Sequence, residues 1–260
     1  MLRLNYHKQS KENTTTMEII AFLSPVFDYT LIHQFSTISE AILAMSGRPT
    51  MQGISRWTDD YGSYRTIQRF FYTNIDWLKL RWLFVKKHLI NKDDVMLIGA
   101  DEVVVSKSGK KTHGLDYFFS SLYGKSIPSI SFLCMSLISV ERRNSYPLVM
   151  EQIIKDKSPA KEKQTKQKCK KGRPKGSGNK NHEDVELSIY LQFVKATLNS
   201  LLTIVGNDIN LVYFVFDGAF GNNNALQMVR QCNLHIISKL RYDSALYLPY
   251  CGEYCGRGRC

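Results

Sequence analysis

What the 260-residue chain lacks narrows the field first. No consecutive apolar run reaches the roughly 20 residues that a membrane-spanning helix needs. The N-terminal stretch MLRLNYHKQSKENTTTMEII has neither a continuous apolar h-region nor a small-residue cleavage site, so no secretory leader is expected. Cysteine is sparse and scattered, at Cys134, Cys169, Cys232, Cys251, Cys255 and Cys260, which suits incidental thiols in a reducing compartment. Acids are scarce where bases are dense: eleven of the 35 Lys and Arg, but only two of the 23 Asp and Glu, fall between Lys155 and Asn181, leaving 24 against 21 elsewhere. The formal charge of +12 therefore belongs mostly to one segment. That segment is also almost free of apolar residues and cannot pack a core. Such a block is either a solvated linker or the footprint of a polyanion, of which nucleic acid is the commonest.

What is present is enough to fold. With 43% apolar and 12% aromatic residues, the chain can bury one large core or two modest ones. Residues 1–16 are polar and expected to be frayed. From Met17 to Met45, apolar Ile20, Leu23, Phe27, Leu31, Phe35, Ile38, Ile42 and Met45 recur at steps of three and four, predicting helices interrupted at Pro25, with Ser39 as a cap. Thr50 can cap a short helix to Trp57, and Ser63 another through Phe71. That helix–turn–helix spacing presents Arg65, Gln68 and Arg69 on one polar side. The stretch IDWLKLRWLFVKKHLI closes an all-helical region over 17–92.

The pattern then turns to strands. VMLIGADEVVV, DYFFSSLYG and PSISFLCMSLISV read as three consecutive strands with short Gly or Pro breaks, and KSGKKTHG, with Lys110 and Lys111, is a basic turn between the first two. After the basic insertion at 155–182, a helix is expected over 183–202, with Val185, Ile189, Phe193 and Ala196 on one stripe and Leu198, Leu201 and Leu202 continuing its buried side. The strand LVYFVF, a helix over 223–231 and the strand LHIISKL follow. Short links suit antiparallel pairing, whereas helical crossovers require parallel pairing. The order is that of a mixed, ribonuclease-H-like α/β sheet over 93–260, in which the first strand lies beside LVYFVF.

That adjacency gives two carboxylates a common meeting point. Asp101 lies within a strand, where Asp is depleted and no turn accounts for it. Asp217 leaves the exit of LVYFVF, where capping a turn is its ordinary use. In neighbouring strands about 4.8 Å apart, both could grip Mg²⁺ or Mn²⁺. Glu102 should point to the opposite face, solvated or paired with Lys107. Within the insertion, KKGRPKGS sets Arg173 before a proline, a narrow extended shape suited to the minor groove, with Lys170, Lys171 and Lys175 on phosphates.

The blocks ADEVVVSKSGKKTHGLDYFFSSLYGK, SLISVERRNSYPLVMEQI, VFDGAFGNN and ISKLRYDSALYLPY, in this order, resemble insertion-sequence transposases. They are similar to the IS4-like DDE superfamily, particularly its IS701-type members, and the helical SGRPTMQGISRWTDDYGSYRTIQRFF resembles that family's N-terminal region. The resemblance implies an RNase H-like catalytic core behind a DNA-binding helical region, with Asp101 and Asp217 as the first two acids of a catalytic, metal-binding triad. It further implies Mg²⁺-dependent strand cleavage at transposon ends and strand transfer into target DNA. The expected partners are double-stranded DNA and a second copy of the chain, with no membrane, in a nucleoid-associated setting of the bacterial cytoplasm. The candidate DNA contacts are Arg65, Arg69, Lys110, Lys111, Lys170, Lys171, Arg173 and Lys175.

One feature departs from the family. Its third acid, a Glu in a Tyr-Arg-Glu-Lys type motif on a later helix, has no counterpart before Cys260, and Glu253 sits in a Gly/Cys-rich stretch unsuited to supply it. The sequence thus reads as a C-terminally truncated transposase with an incomplete site, and the alternative is a non-catalytic DNA-binding remnant that interferes with full-length relatives. Cys251, Cys255 and Cys260 lack a fourth ligand at zinc spacing, so zinc is not expected.

Overall fold

The computed structural model describes residues 16–58, 62–91, 94–155 and 185–240. The chain divides into two compact units, residues 1–90 and 91–260.

In the first unit every described element is helical. It comprises α1 (Thr16–Ile20) with a 3-10 turn behind it, α2 (Tyr29–Ala44), α3 (Met51–Ser55), α4 (Tyr64–Tyr72) and α5 (Trp77–His88). Local chemistry fixes the starts. Thr50 Oγ1 accepts from the Gly53 amide at 2.9 Å, Ser63 Oγ from Thr66 at 3.3 Å and Asp76 Oδ1 from Lys79 at 3.0 Å, each satisfying an amide with no partner inside its helix. α2 starts differently from the sequence expectation: Asp28, not Ser39, caps it, accepting from Thr30 at 3.0 Å, and Ser39 lies inside the helix. The expected frayed start also gives way at Thr16, which opens α1. Ile20, Leu23, Ile32, Ile54, Ile67 and Phe70 are nearly inaccessible and form one core. Burying each contributes about 1.5–3 kcal/mol. Ile42, expected on the apolar stripe, is exposed.

The second unit is built on a six-stranded mixed sheet. Its strands are β1 (Met96–Ser106), β2 (Asp116–Ser120), β3 (Lys125–Ser139), β4 (Asn144–Ile153), β5 (Tyr213–Val215) and β6 (His235–Ile237). β3 is antiparallel to β1 along one edge, and to β2 and β4 in tandem along the other. β5 is parallel to β1, and β6 is parallel to β5. The path β4-β3-β1-β5-β6 is a ribonuclease-H-like order: an antiparallel half joined to a parallel half that uses helical crossovers.

Three details differ from the sequence reading. Four strands, not three, precede the long helix. β4 was concealed by Pro147, which sits on an edge strand where the β3–β4 register shifts, a site at which a ladder tolerates a missing amide donor. The antiparallel neighbour of β1 is β3, not β2, because β2 pairs only with the outer end of β3.

The third difference concerns the crossover helix α6, which spans Ile189–Val205 and is capped by Ser188 Oγ on the Leu191 amide at 3.3 Å. Val185 precedes it, and Ile189 and Ala196 are exposed. The buried stripe is Leu191, Val194, Leu198, Leu201 and Val205, which includes the expected Leu198 and Leu201 but opens on Leu191 and Val194 rather than on Ile189 and Ala196. Residues Ile189–Asp208 are moreover long and apolar enough, by length and composition, to cross a membrane. Scattered Gln192, Lys195 and Asn199 hide this from a count of consecutive apolar residues. Here the stripe is spent on the interior: Val194, Leu198 and Leu201 are fully buried, as are Ile98, Leu133, Met135, Leu137 and Phe214 of the sheet. The second crossover helix, α7 (Asn223–Arg230), adds fully buried Ala225, Met228 and Val229 and contacts both α6 and β6.

Candidate metal and nucleic-acid site

The pairing of β1 with β5 determines where the two aspartates meet. Ile98 lies opposite Phe214 and Gly99 opposite Val215. The chain stays extended beyond β5, because the Phe216 amide donates to the Ile237 carbonyl at 3.1 Å and the Ser238 hydroxyl donates to the Asp217 carbonyl at 2.6 Å. Continuing the register by two residues sets Asp217 in the same row, and on the same face, as Asp101. The next turn is held tightly against the segment that follows β6: a Cβ on Gly221 would lie 2.6 Å from the Lys239 carbonyl oxygen, so only glycine fits there.

β1 runs on to Ser106 whereas β5 stops at Val215, so the far half of β1 has a strand on one side only. The space left at the carboxyl end of β5 is a cavity of about 580 Å³, walled by Asp101, Asp217, Glu102, Phe119, Leu122 and Phe220 among others. Carboxyl ends of parallel strands are where open α/β sheets bind ligands. A second cavity, about 420 Å³, lies on the Cys134 side of the row and again includes both aspartates. The acid pair thus stands at the junction of two cavities.

Asp101 accepts from the Glu102 amide at 2.8 Å, which orients its carboxylate, and both aspartates are exposed to solvent. Glu102 does point to the other face, but its partner is the Tyr190 hydroxyl at the start of α6, not Lys107. The Tyr190 ring also lies 6.0 Å from that of Phe220, which stacks on Phe216 at 3.6 Å. Tyr190 therefore touches both acid-bearing segments. Its burial first, then its bond to Glu102, then the charges of Glu102, Asp217 and Asp101 push its phenol well above the ordinary 10.0. Sequence reasoning did not single out this residue, since a tyrosine in a first helical turn carries no signal of what the opposite strand brings to it.

The donor set suits a hard divalent cation. Mg²⁺ is commonly held by one or two carboxylates, completing its shell with water and phosphate oxygens. Among the described residues no group of three or more His, Cys, Asp or Glu converges as metal ligands. Of the other predicted site residues, Lys110 and Lys111 are exposed in the loop between β1 and β2, and Arg65 and Arg69 are exposed on α4 in the first unit. Lys170, Lys171, Arg173 and Lys175 lie outside the described residues, as do Glu253 and the last three cysteines.

A family model described as DDE superfamily endonuclease matches residues 27–258, nearly the whole chain. The chain belongs to this family. Its structure is also similar to that of the Drosophila P element transposase strand transfer complex, at a TM-score of 0.36 and 10% identity, covering 86% of this chain and 47% of that one. The chain thus spans about half the length of that protein. None of the curated proteins matches it.

Proposed function

We propose that this DDE endonuclease-family chain is an insertion-sequence transposase of the IS4-like, IS701-type group, acting on double-stranded DNA through Asp101 and Asp217. The observation that supports the proposal is the parallel pairing of β1 with β5, together with the two cavities that Asp101 and Asp217 both line. Mg²⁺ or Mn²⁺ is the ion this donor set would hold. Bound there, such an ion would offset the charge of the carboxylates and of the phosphodiester and would ease deprotonation of the attacking water.

The rest of the work falls to the chain itself. Lys110 and Lys111, beside the acid-bearing strand, and Lys170, Lys171 and Lys175 in the basic segment neutralise DNA phosphates. Arg173 inserts into the minor groove, and Arg65 and Arg69 contact the backbone from the helical unit. Tyr190 remains a protonated donor and keeps Glu102 occupied.

We expect two carboxylates alone to support cleavage orders of magnitude slower than a site completed by a third acid. The exposed Lys110 and Lys111, which need no cleavage chemistry to hold DNA, suit a second reading, a non-catalytic DNA binder that competes with complete transposases. Labelled transposon-end duplex, incubated with the purified chain and Mg²⁺, separates the two. Slow nicking that is lost in Asp101→Asn supports the transposase. Binding without nicking, unchanged or improved in Asp101→Asn, supports the binder. Nicking without joining to a target duplex would identify a nuclease of the same fold.

A further inference from the structure

The hairpin formed by β2 and the start of β3 breaks the usual strand pattern. Phe118 faces inward and is buried, so the alternate positions of β2 should be polar. They are aromatic instead: Tyr117 is 61% and Phe119 63% exposed, and the turn that follows adds Leu122 at 84% and Tyr123 at 57%. Four large apolar side chains facing solvent on one short hairpin mark a binding surface. The hairpin also lies beside the acid pair, since Phe119, Leu122 and Tyr123 wall the same cavity as Asp101 and Asp217.

Its surroundings are basic. Lys155 donates to the Tyr117 carbonyl and stands over the Phe118 ring at 4.4 Å, Lys125 pairs across from Ser120, and Lys107, Lys110 and Lys111 are exposed in the loop leading to β2. The acid on β2, Asp116, accepts from the Tyr117 amide at 2.6 Å. Exposed aromatics interleaved with cations match single-stranded nucleic acid, whose bases stack while its phosphates are neutralised.

We propose that Phe119, Leu122 and Tyr123 form a stacking platform for an unpaired nucleobase of a DNA end whose adjoining phosphate reaches the acid pair. The proposal rests on the DNA-cleaving reading above and deepens it. The chain then prefers duplex ends with a short single-stranded extension to blunt ends, without regard to the sequence of the extension. A second copy of the chain or another protein covering the hairpin is the competing occupant.

The test uses two duplexes, one blunt and one with a three-nucleotide extension bearing 2-aminopurine, titrated with the full 260-residue chain in EDTA at fixed salt so that cleavage does not intervene. The expected result is fluorescence quenching on the extended duplex and roughly tenfold tighter binding than to the blunt one, as loss of one stacked base predicts. Phe119→Ala/Tyr123→Ala abolishes both the preference and the quenching, whereas Phe119→Trp keeps them. Because these side chains face solvent, the fold survives the changes. Equal affinity for the two duplexes, or a preference that the double variant retains, overturns the platform while leaving the DNA reading intact. Binding of neither duplex overturns both. Sedimentation showing a wild-type dimer that the double variant dissociates assigns the hairpin to a second copy and also overturns the platform.

Discussion

Replacing Asp101 with Asn should stabilise the metal-free chain and remove its stabilisation by Mn²⁺. Side chains in one row of adjacent strands start about 4.8 Å apart. Two unit negative charges at that distance repel by about 1 kcal/mol in bulk water and by about 3–4 kcal/mol at an effective dielectric constant of 20. Both aspartates are exposed and salt screens them, so the lower figure applies. Asn keeps an oxygen that can accept from the Glu102 amide, so the substitution removes charge and little else. In a unit of this size, 1 kcal/mol raises the melting temperature by about 2–4 °C. Mn²⁺ at 100 times its Kd should stabilise the wild type by about 2.7 kcal/mol, a shift of several degrees. The assay is thermal melting of wild type and Asp101→Asn in EDTA and in a Mn²⁺ series. A variant that melts higher than wild type in EDTA, and hardly responds to Mn²⁺, is the expected outcome. A wild type indifferent to Mn²⁺, or equal Mn²⁺ shifts in the two proteins, would refute the paired-carboxylate reasoning.

Other perturbations probe the supports of the site. Tyr190→Phe deletes the hydroxyl that Glu102 accepts and should cost about 1 kcal/mol, read as a 2–4 °C drop in melting temperature. Because the folded chain holds this phenol above its unfolded value, its contribution is complete below about pH 10 and is lost as pH rises further. The wild type should therefore lose stability above pH 10 more steeply than Tyr190→Phe. Leu198→Ala empties a fully buried position between α6 and the sheet, with an expected cost of about 2–5 kcal/mol in urea unfolding. Changing Lys170, Lys171, Arg173 and Lys175 together to Ala should flatten the salt dependence of DNA affinity by up to about 0.9 per lost phosphate contact, with no change in melting temperature.

Much of the architecture was readable from local rules, and the exceptions have identifiable causes. Thr50 and Ser63 announce their helices because a hydroxyl before an apolar-periodic run has an orphan amide to satisfy. The β1–β5 adjacency follows from the alternation of short links and helical crossovers, which restricts pairing direction. β4 escaped because Pro147 argues against a strand unless a bulge is foreseen, and a bulge is a property of two paired strands rather than of one segment. On α6 the expected Leu198 and Leu201 are buried, but Val185 lies before the Ser188 cap and Ile189, the first helical residue, faces solvent. The stripe begins only at Leu191. At the site, Asp101 was conspicuous as an acid inside a strand, whereas Tyr190 was not. Its significance comes from the Glu102 and Phe220 side chains that tertiary packing brings to it.

The chemistry proposed for this chain depends on Asp101 and Asp217 holding one divalent ion together. Crystals of the 260-residue chain grown with Mn²⁺, measured at a wavelength where manganese scatters anomalously, test it most directly. A peak contacting an oxygen of each carboxylate at about 2.1 Å, the distance typical of a small hard cation, is expected. A saturated Mn²⁺ soak with no peak between them, or with a peak on one aspartate alone, would contradict it.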